Sequence, residues 1–154
     1  MSEARRGYRG YIASQPVRGT SFPQRIQNLV VRDYAARHGL PFLLSATEYA
    51  MPGCYMILEN VVNELPRIEG MIAFSAFMLP KRPERRADLY ERIFSAGAVL
   101  HAALENIVVR TPADAATIED LLQVAATLAH VPGGGWMDKS RGVGDAAFWR
   151  ALEA

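Results

Sequence analysis

The sequence predicts an α/β fold: a small open parallel sheet of about four strands, ordered near 2-1-3-4, with helices on both faces. Three observations carry this. Short apolar runs alternate with stretches of helical periodicity, the pattern of strand–helix–strand units. The connections between runs are long enough for helical crossovers, which parallel neighbours require. The run from Ile68 to Phe74 is apolar without alternation, as in a strand buried on both faces.

Taken in order, residues 8–13 (Tyr-Arg-Gly-Tyr-Ile-Ala) read as a first strand, and Gln15 to Thr20 as a turn-rich loop. Ser21 is a candidate cap and Pro23 suits a first helical turn. Ile26, Leu29, Val30 and Tyr34 then recur at helical spacing until Gly39. Residues 41–46 form a second strand. Pro52-Gly53 opens a helix with the stripe Tyr55, Leu58, Val61, Val62 and Leu65, which Pro66 ends. After the third strand, Pro80 and Pro83 precede a helix over 84–95, with Leu89, Ile93 and Phe94 inward. Residues 99–104 are the fourth strand, which 107–109 extend or resume. Thr111-Pro112 starts a final helix through Ile118, Leu121, Leu122 and Leu128 to His130. Residues 1–132 thus make a single domain of the flavodoxin-like layout. Residues 133–154 are a break at Gly133-Gly134-Gly135 and a short amphipathic tail with Phe148 and Trp149. The last helix and the tail carry apolar surface beyond one core's need, so a homo-oligomer is expected, the alternative being that Phe148 and Trp149 fold back onto their own domain.

A chain of 154 residues, 50% hydrophobic and 21% charged, is of ordinary globular composition. Its net charge of +1 gives no bulk attraction for a polyanion, so nucleic acid is not the expected partner. The basic residues are uneven all the same, and their clusters read as solvated faces or oligomer contacts rather than as a nucleic-acid groove. Arg5, Arg6, Arg9 and Arg18 crowd one region, and Lys81, Arg82, Arg85 and Arg86 another. Cys54 is the one cysteine, so no intrachain disulfide forms, and the cytoplasm is the expected compartment. No N-terminal apolar segment resembles a secretory signal, and no apolar run nears the ~20 residues of a membrane span.

Four apolar runs end on polar clusters: Ala13-Ser14-Gln15, Ala46-Thr47-Glu48-Tyr49, Phe74-Ser75-Ala76-Phe77 and Leu104-Glu105-Asn106. In a parallel sheet these share the carboxyl edge, where open α/β sheets bind ligands. Glu48 and Glu105 are the candidate acid–base groups, since a carboxyl just beyond a strand is partly desolvated. Either reads equally as a helix cap or an ion-pair partner of an arginine such as Arg18. Ser14 is a candidate nucleophile. It would need a base, for which His101 is the obvious choice, although a histidine inside a strand reads equally as a satisfied core residue. Gln15, Tyr49, Ser75 and Asn106 are groups that orient ligand hydroxyls or satisfy loop backbone. Gln24, Gln27 and Asn28 open the first helix, where free N–H groups can meet an anion. Cys54 after Pro52-Gly53 is either an activated thiol or an inert one. There is no Walker loop and no G-x-G-x-x-G after the first strand, and His38, His101, His130 and Cys54 lack metal-site spacing. No metal or cofactor is expected.

Two family resemblances add to this. Arg9-Gly10-Tyr11-Ile12, Pro23-Gln24, Gln27 to Val30, Arg32-Asp33-Tyr34, Leu44 to Met51, Glu64-Leu65-Pro66, Gly70-Met71-Ile72, Phe74 to Pro80 and Leu100 to Asn106 resemble a bacterial family named for sporadic carbohydrate clusters. That resemblance implies a place in surface-polysaccharide or sugar biosynthesis. The strand Ile12-Ala13-Ser14 and the run from Gly70 to Ser75 are similar to the catalytic domain of serine recombinases, whose first strand ends on the nucleophilic serine. In that family the third strand leads to an Asp-Arg pair and a further arginine. Here the stretch is Ala76-Phe77-Met78-Leu79, which leaves the charge on a scissile phosphate without its stabiliser. This second resemblance implies the fold and argues against strand cleavage.

The expectation is therefore a protein that binds or converts a sugar or nucleotide-sugar intermediate, by proton transfer of isomerase, epimerase or dehydratase type. Glu48 or Glu105 would move the proton, while Ser14, Gln15, Ser75 and Asn106 hold ligand oxygens. The alternatives are a non-catalytic subunit that organises another enzyme through an apolar patch at Phe77, Met78 or Trp149, and an inactivated recombinase-like nucleic-acid-binding domain.

Overall fold

In the computed structural model, residues 6–130 are described. Strands β1 (Tyr8–Ala13), β2 (Phe42–Glu48), β3 (Gly70–Ala73) and β4 (Val99–Ala102) are parallel, in the order 2-1-3-4. A fifth strand, β5 (Ile107–Val109), pairs antiparallel with β4. It neither extends nor resumes the fourth strand: Asn106, at φ 55, turns the chain back on itself. Asparagine tolerates this left-handed conformation better than most side chains.

Helices α1 (Gln24–Arg37), α2 (Met56–Glu64) and α3 (Pro83–Ser95) form the crossovers. Helix α1 covers one face, where Tyr34 meets His101 of β4. Helix α2 covers the other, reached by Arg9 through Glu64 and by Tyr11 through Glu48, and α3 packs against it. The sheet's centre is dry. Met71, Ile72 and Ala73 are wholly buried, as are Leu100 and Ile93. Gly70 lets β3 approach β4, since a Cβ there would collide with the Val99 carbonyl oxygen.

One helix face and one helix start differ from the expected ones. In α1 the buried residues are Gln27, Val31, Tyr34 and Ala35, whereas Ile26 and Leu29 face solvent. The stripe is rotated because the Gln27 carboxamide is needed inside the protein. Helix α2 begins at Met56 rather than at Pro52-Gly53, and its own first-turn N–H groups, those of Ile57 and Leu58, donate to Glu48. No side chain caps α1, where Pro23 itself is the N-cap residue and Ser21 plays no capping part.

Edge strand β2 carries an irregularity. Tyr8 is opposite Phe42 but Gly10 is opposite Ser45, so β2 holds one residue more than β1 over this interval. That is the signature of a bulge. Leu44, within it, is 71% exposed.

Helix α4 (Pro112–His130) starts in a capping box. The Asp114 carboxylate accepts from the N–H groups of Arg110 and Thr111, and Thr111 Oγ1 accepts from Asp114 N. By internal contacts the chain divides into two units, Met1–Ile118 and Glu119 onward. In the first, Ala115 and Ile118 are buried. In the second, Val124 and Leu128 are exposed, so Leu128 is not the inward residue expected. Arg5, the triple glycine and the tail with Phe148 and Trp149 lie outside the described residues. Among the described residues no helix is long and apolar enough to cross a membrane, and no three His, Cys, Asp or Glu side chains are grouped to hold a metal ion.

Candidate functional site at the carboxyl edge

Parallel register brings the four strand ends to one edge, as expected: Ala13 lies opposite Glu48, Tyr11 opposite Ala73, and Ala73 opposite Ala102. The side chains there sort into three groups.

Glu48 is 2% exposed, and its carboxylate is held by the fold. Oε2 accepts from Tyr11 Oη at 2.9 Å and Leu58 N at 2.9 Å. Oε1 accepts from Ile57 N at 3.1 Å and Tyr49 N at 3.2 Å, with Cys54 Sγ at 3.8 Å. An anion placed on the first N–H groups of α2 satisfies donors that no helix carbonyl can reach and complements the dipole. Burial, then the hydrogen bond to this carboxylate, raises the Tyr11 phenol far above its usual range, so Tyr11 is fixed as a donor.

Glu105 forms a separate pair with Ser75. Ser75 Oγ donates to Oε1 at 2.6 Å, Ala76 N donates to Oε2 at 2.9 Å, and Phe77 N donates to Ser75 Oγ at 3.1 Å. These bonds shape the 3-10 turn Ala76–Met78 and set Phe77 on the rim. Both carboxylates thus act as caps, Glu48 on the start of α2 and Glu105 on the 3-10 turn after β3.

Ser14 is exposed, and its Oγ accepts from Gln24 Nε2 at 2.5 Å. Neither His101 nor a carboxylate bonds to it among the described residues. The chain is released at Ser14 because Gln27, fully buried, closes the strand before it. Its Oε1 accepts from Ala13 N at 3.0 Å, and its Nε2 donates to Ala13 O at 2.5 Å and Phe22 O at 2.9 Å. The carboxamide pairs with β1 as another strand would. Gln27 is therefore no anion ligand, and Asn28 is engaged too, its Oδ1 accepting from Ser45 Oγ at 2.7 Å. Gln15 donates to the carbonyls of Tyr49 and Met51 and ties the loops after β1 and β2. Asn106 serves the β4–β5 turn.

His101 sits apart from the edge, in the sheet, 2% exposed, with Nδ1 2.7 Å from Tyr34 Oη and the Tyr8 ring edge-on. Burial first, then the charge of Arg110 and the neighbouring His38, push its pKa down to about 4. It is a core histidine.

A shallow cleft of about 70 Å³ opens at the edge, lined in part by Tyr11, Glu48, Cys54, Tyr55, Phe77 and Lys81. This is far below the few hundred Å³ of an ordinary small-molecule site. Its rim was not apparent from sequence. Arg18, in a left-handed backbone conformation at φ 51, places its guanidinium 4.9 Å from the Phe77 ring centroid, and Arg85 lies 5.1 Å from that of Tyr55. Among the described residues, the ion pairs seen leave out Arg18, Lys81, Arg82 and Arg85. Arg86, by contrast, is buried and donates to the carbonyls of Pro80 and Lys81, which pins the loop that carries the basic run. The exposed patch expected of an organising subunit is not found at Met78, which is buried, or at Phe77, which is half-buried.

No family model matches the chain, and no curated protein matches it. Solved structures do. The chain is similar to a resolvase family site-specific recombinase from Streptococcus pneumoniae, with a TM-score of 0.57 and 7% identity over 87% of this chain and 99% of that one. It is also similar to the N-terminal catalytic domain of TP901-1 integrase, with a TM-score of 0.51 and 12% identity over 79% and 95%. At these identities the likeness is one of fold. It corrects the expectation of a protein of surface-carbohydrate biosynthesis acting on a sugar or nucleotide sugar: the neighbours are recombinase domains, and the sporadic carbohydrate cluster resemblance has no matching family model behind it. The geometry gives the physical reason. The two carboxylates meant to move a proton are bound to backbone N–H groups, and the cleft that Glu48 lines is too small to enclose a sugar nucleotide.

Proposed function

We propose that this chain is a non-cleaving nucleic-acid-binding domain built on the serine recombinase fold, whose carboxyl edge contacts phosphates. The observation that carries the reading is the basic rim. Arg18 from the loop after β1 and Lys81 and Arg85 from the segment after β3 border one edge, Arg82 is the chain neighbour of Lys81, and none of the four has an acidic partner among the described ion pairs. Net charge of +1 describes the whole chain, whereas attraction for a polyanion depends on where the charge sits. Ser14 serves as a hydroxyl donor to a phosphate oxygen rather than as a nucleophile. Its one described partner, the Gln24 amide, donates a proton and takes none, and a serine nucleophile needs a base.

Four phosphate contacts give a logarithmic salt slope of about −2.8 on a single strand and −3.6 on a duplex. Between 50 and 200 mM salt the affinity for a fluorescent oligonucleotide should fall about 50- to 150-fold, read by polarisation. Replacing Arg18, Lys81 and Arg82 by Ala should flatten the slope to near −1. Binding indifferent to salt, or unchanged in that variant, removes the proposal. A covalent Ser14–DNA adduct or nicking of supercoiled plasmid would remove its non-cleaving part.

A further inference from the structure

The rim holds more than charge. Phe77 and Tyr55 line the same cleft as Lys81, each ring is half-buried, and each carries an arginine over its face. Tyr49, tied to the same edge through Gln15, is 51% exposed. Aromatic rings interleaved with cations are what a single strand requires: bases stack on the rings while the cations follow the backbone. A duplex keeps its bases stacked within itself and has no use for these rings.

We infer that the edge binds single-stranded nucleic acid, with unpaired bases stacked on Phe77 and Tyr55 and phosphates on Arg18, Lys81 and Arg85. This rests on the nucleic-acid reading above and narrows it. The turn bearing Phe77 is preformed, since Ser75 and Glu105 hold its backbone. The 4.9 Å gap between Arg18 and the Phe77 ring does not admit a base between them. A base therefore takes the place of the guanidinium on the ring, and Arg18, exposed and on a loop, turns to the adjoining phosphate. The free protein keeps its platform covered by the residue that later holds the ligand.

The test compares a fluorescein-labelled twelve-residue oligothymidine with a duplex of about the same length, by polarisation in 50 mM salt. The single strand should bind more tightly. Phe77→Leu and Tyr55→Leu, which keep the apolar contacts, should each weaken the single strand about 5- to 150-fold, the range for loss of one stacked base. Both should leave duplex binding within about twofold. Should either variant fail to fold, ultraviolet crosslinking of a bromodeoxyuridine strand to the unaltered protein decides: adducts should map to peptides with Tyr49, Tyr55 or Phe77, and adducts confined elsewhere overturn the inference. If the duplex binds at least as well and the Leu variants leave the single strand unaffected, the inference falls and the broader reading stands. If neither form binds in a salt-sensitive way, the broader reading falls with it.

Discussion

Replacing Glu48 by Gln exchanges one carboxylate oxygen for an NH2 group at a site 2% exposed, where every contact is already a donor. The carbonyl oxygen can stay in the place of Oε1 and keep Ile57 and Tyr49. The new NH2 then faces Tyr11 and Leu58. The Tyr11 hydroxyl can turn and accept, but the Leu58 N–H cannot, and one buried donor is left unpaired at about 1–3 kcal/mol. Loss of the charge at the start of α2 adds about 0.3–1 kcal/mol. The surviving bonds lose their charge assistance, which is partly offset because a neutral group costs less to bury. The sum is about 2–4 kcal/mol out of the 5–15 kcal/mol typical of a domain, so the variant still folds. Urea unfolding at pH 7, followed by far-ultraviolet circular dichroism, measures it. Tyr11→Phe should cost about 1.5–3 kcal/mol, the range for a hydrogen bond to a charged group, and the double variant should show a coupling of about 1 kcal/mol between the two positions. A Glu48→Gln variant within about 0.5 kcal/mol of the parent would refute the reasoning. The carboxylate would then be free of structural duty and available for chemistry.

Two further outcomes follow from the same accounting of buried polar groups. Gln27→Leu strips partners from both backbone groups of Ala13 and should cost about 2–5 kcal/mol in urea unfolding, with the end of β1 losing protection in amide exchange; a near-neutral effect of this substitution would show that Ala13 finds other partners. His101 has a folded pKa of about 4 against an ordinary 6.5, so the unfolded chain binds the extra proton: its contribution is complete above pH 6.5 and is lost as pH falls toward 4, about 3 kcal/mol in all. Urea midpoints at pH 7, 6, 5 and 4.5 should therefore fall more steeply for the parent than for His101→Gln, and parallel curves would contradict a buried neutral imidazole.

The sheet was legible because its signal is local and repeated. Apolar runs of strand length, separated by helical periodicity, dictate parallel pairing, and parallel pairing puts Ser14, Glu48 and Ser75 on one edge whatever their side chains do next. What lies within that edge was less legible. Glu48 and Glu105 look alike in sequence, each at or just past a strand end, and only the arrival of N–H groups from the start of α2 and from the turn after β3 shows that both are caps. Gln27 could have been found: with Val31 and Tyr34 it forms an i, i+4, i+7 set, and a polar residue on such a stripe must be answering a buried backbone group. The reversal at Asn106 had a signal too, in a residue type suited to left-handed turns directly after a strand. The Arg18–Phe77 and Arg85–Tyr55 pairs had none, since each joins segments remote in the chain through contacts that no period encodes.

The extra residue in β2 has a consequence for how copies of this protein meet. The outermost ribbon of an open sheet offers unanswered N–H and C=O groups, and a straight one would template growth by a stranger's backbone. Here the spacing of those groups slips partway along, so an incoming strand that aligned with one half would be out of step with the other. Crowded molecules are thereby steered away from sheet-to-sheet polymerisation along this border, although β2 itself holds no proline to forbid it.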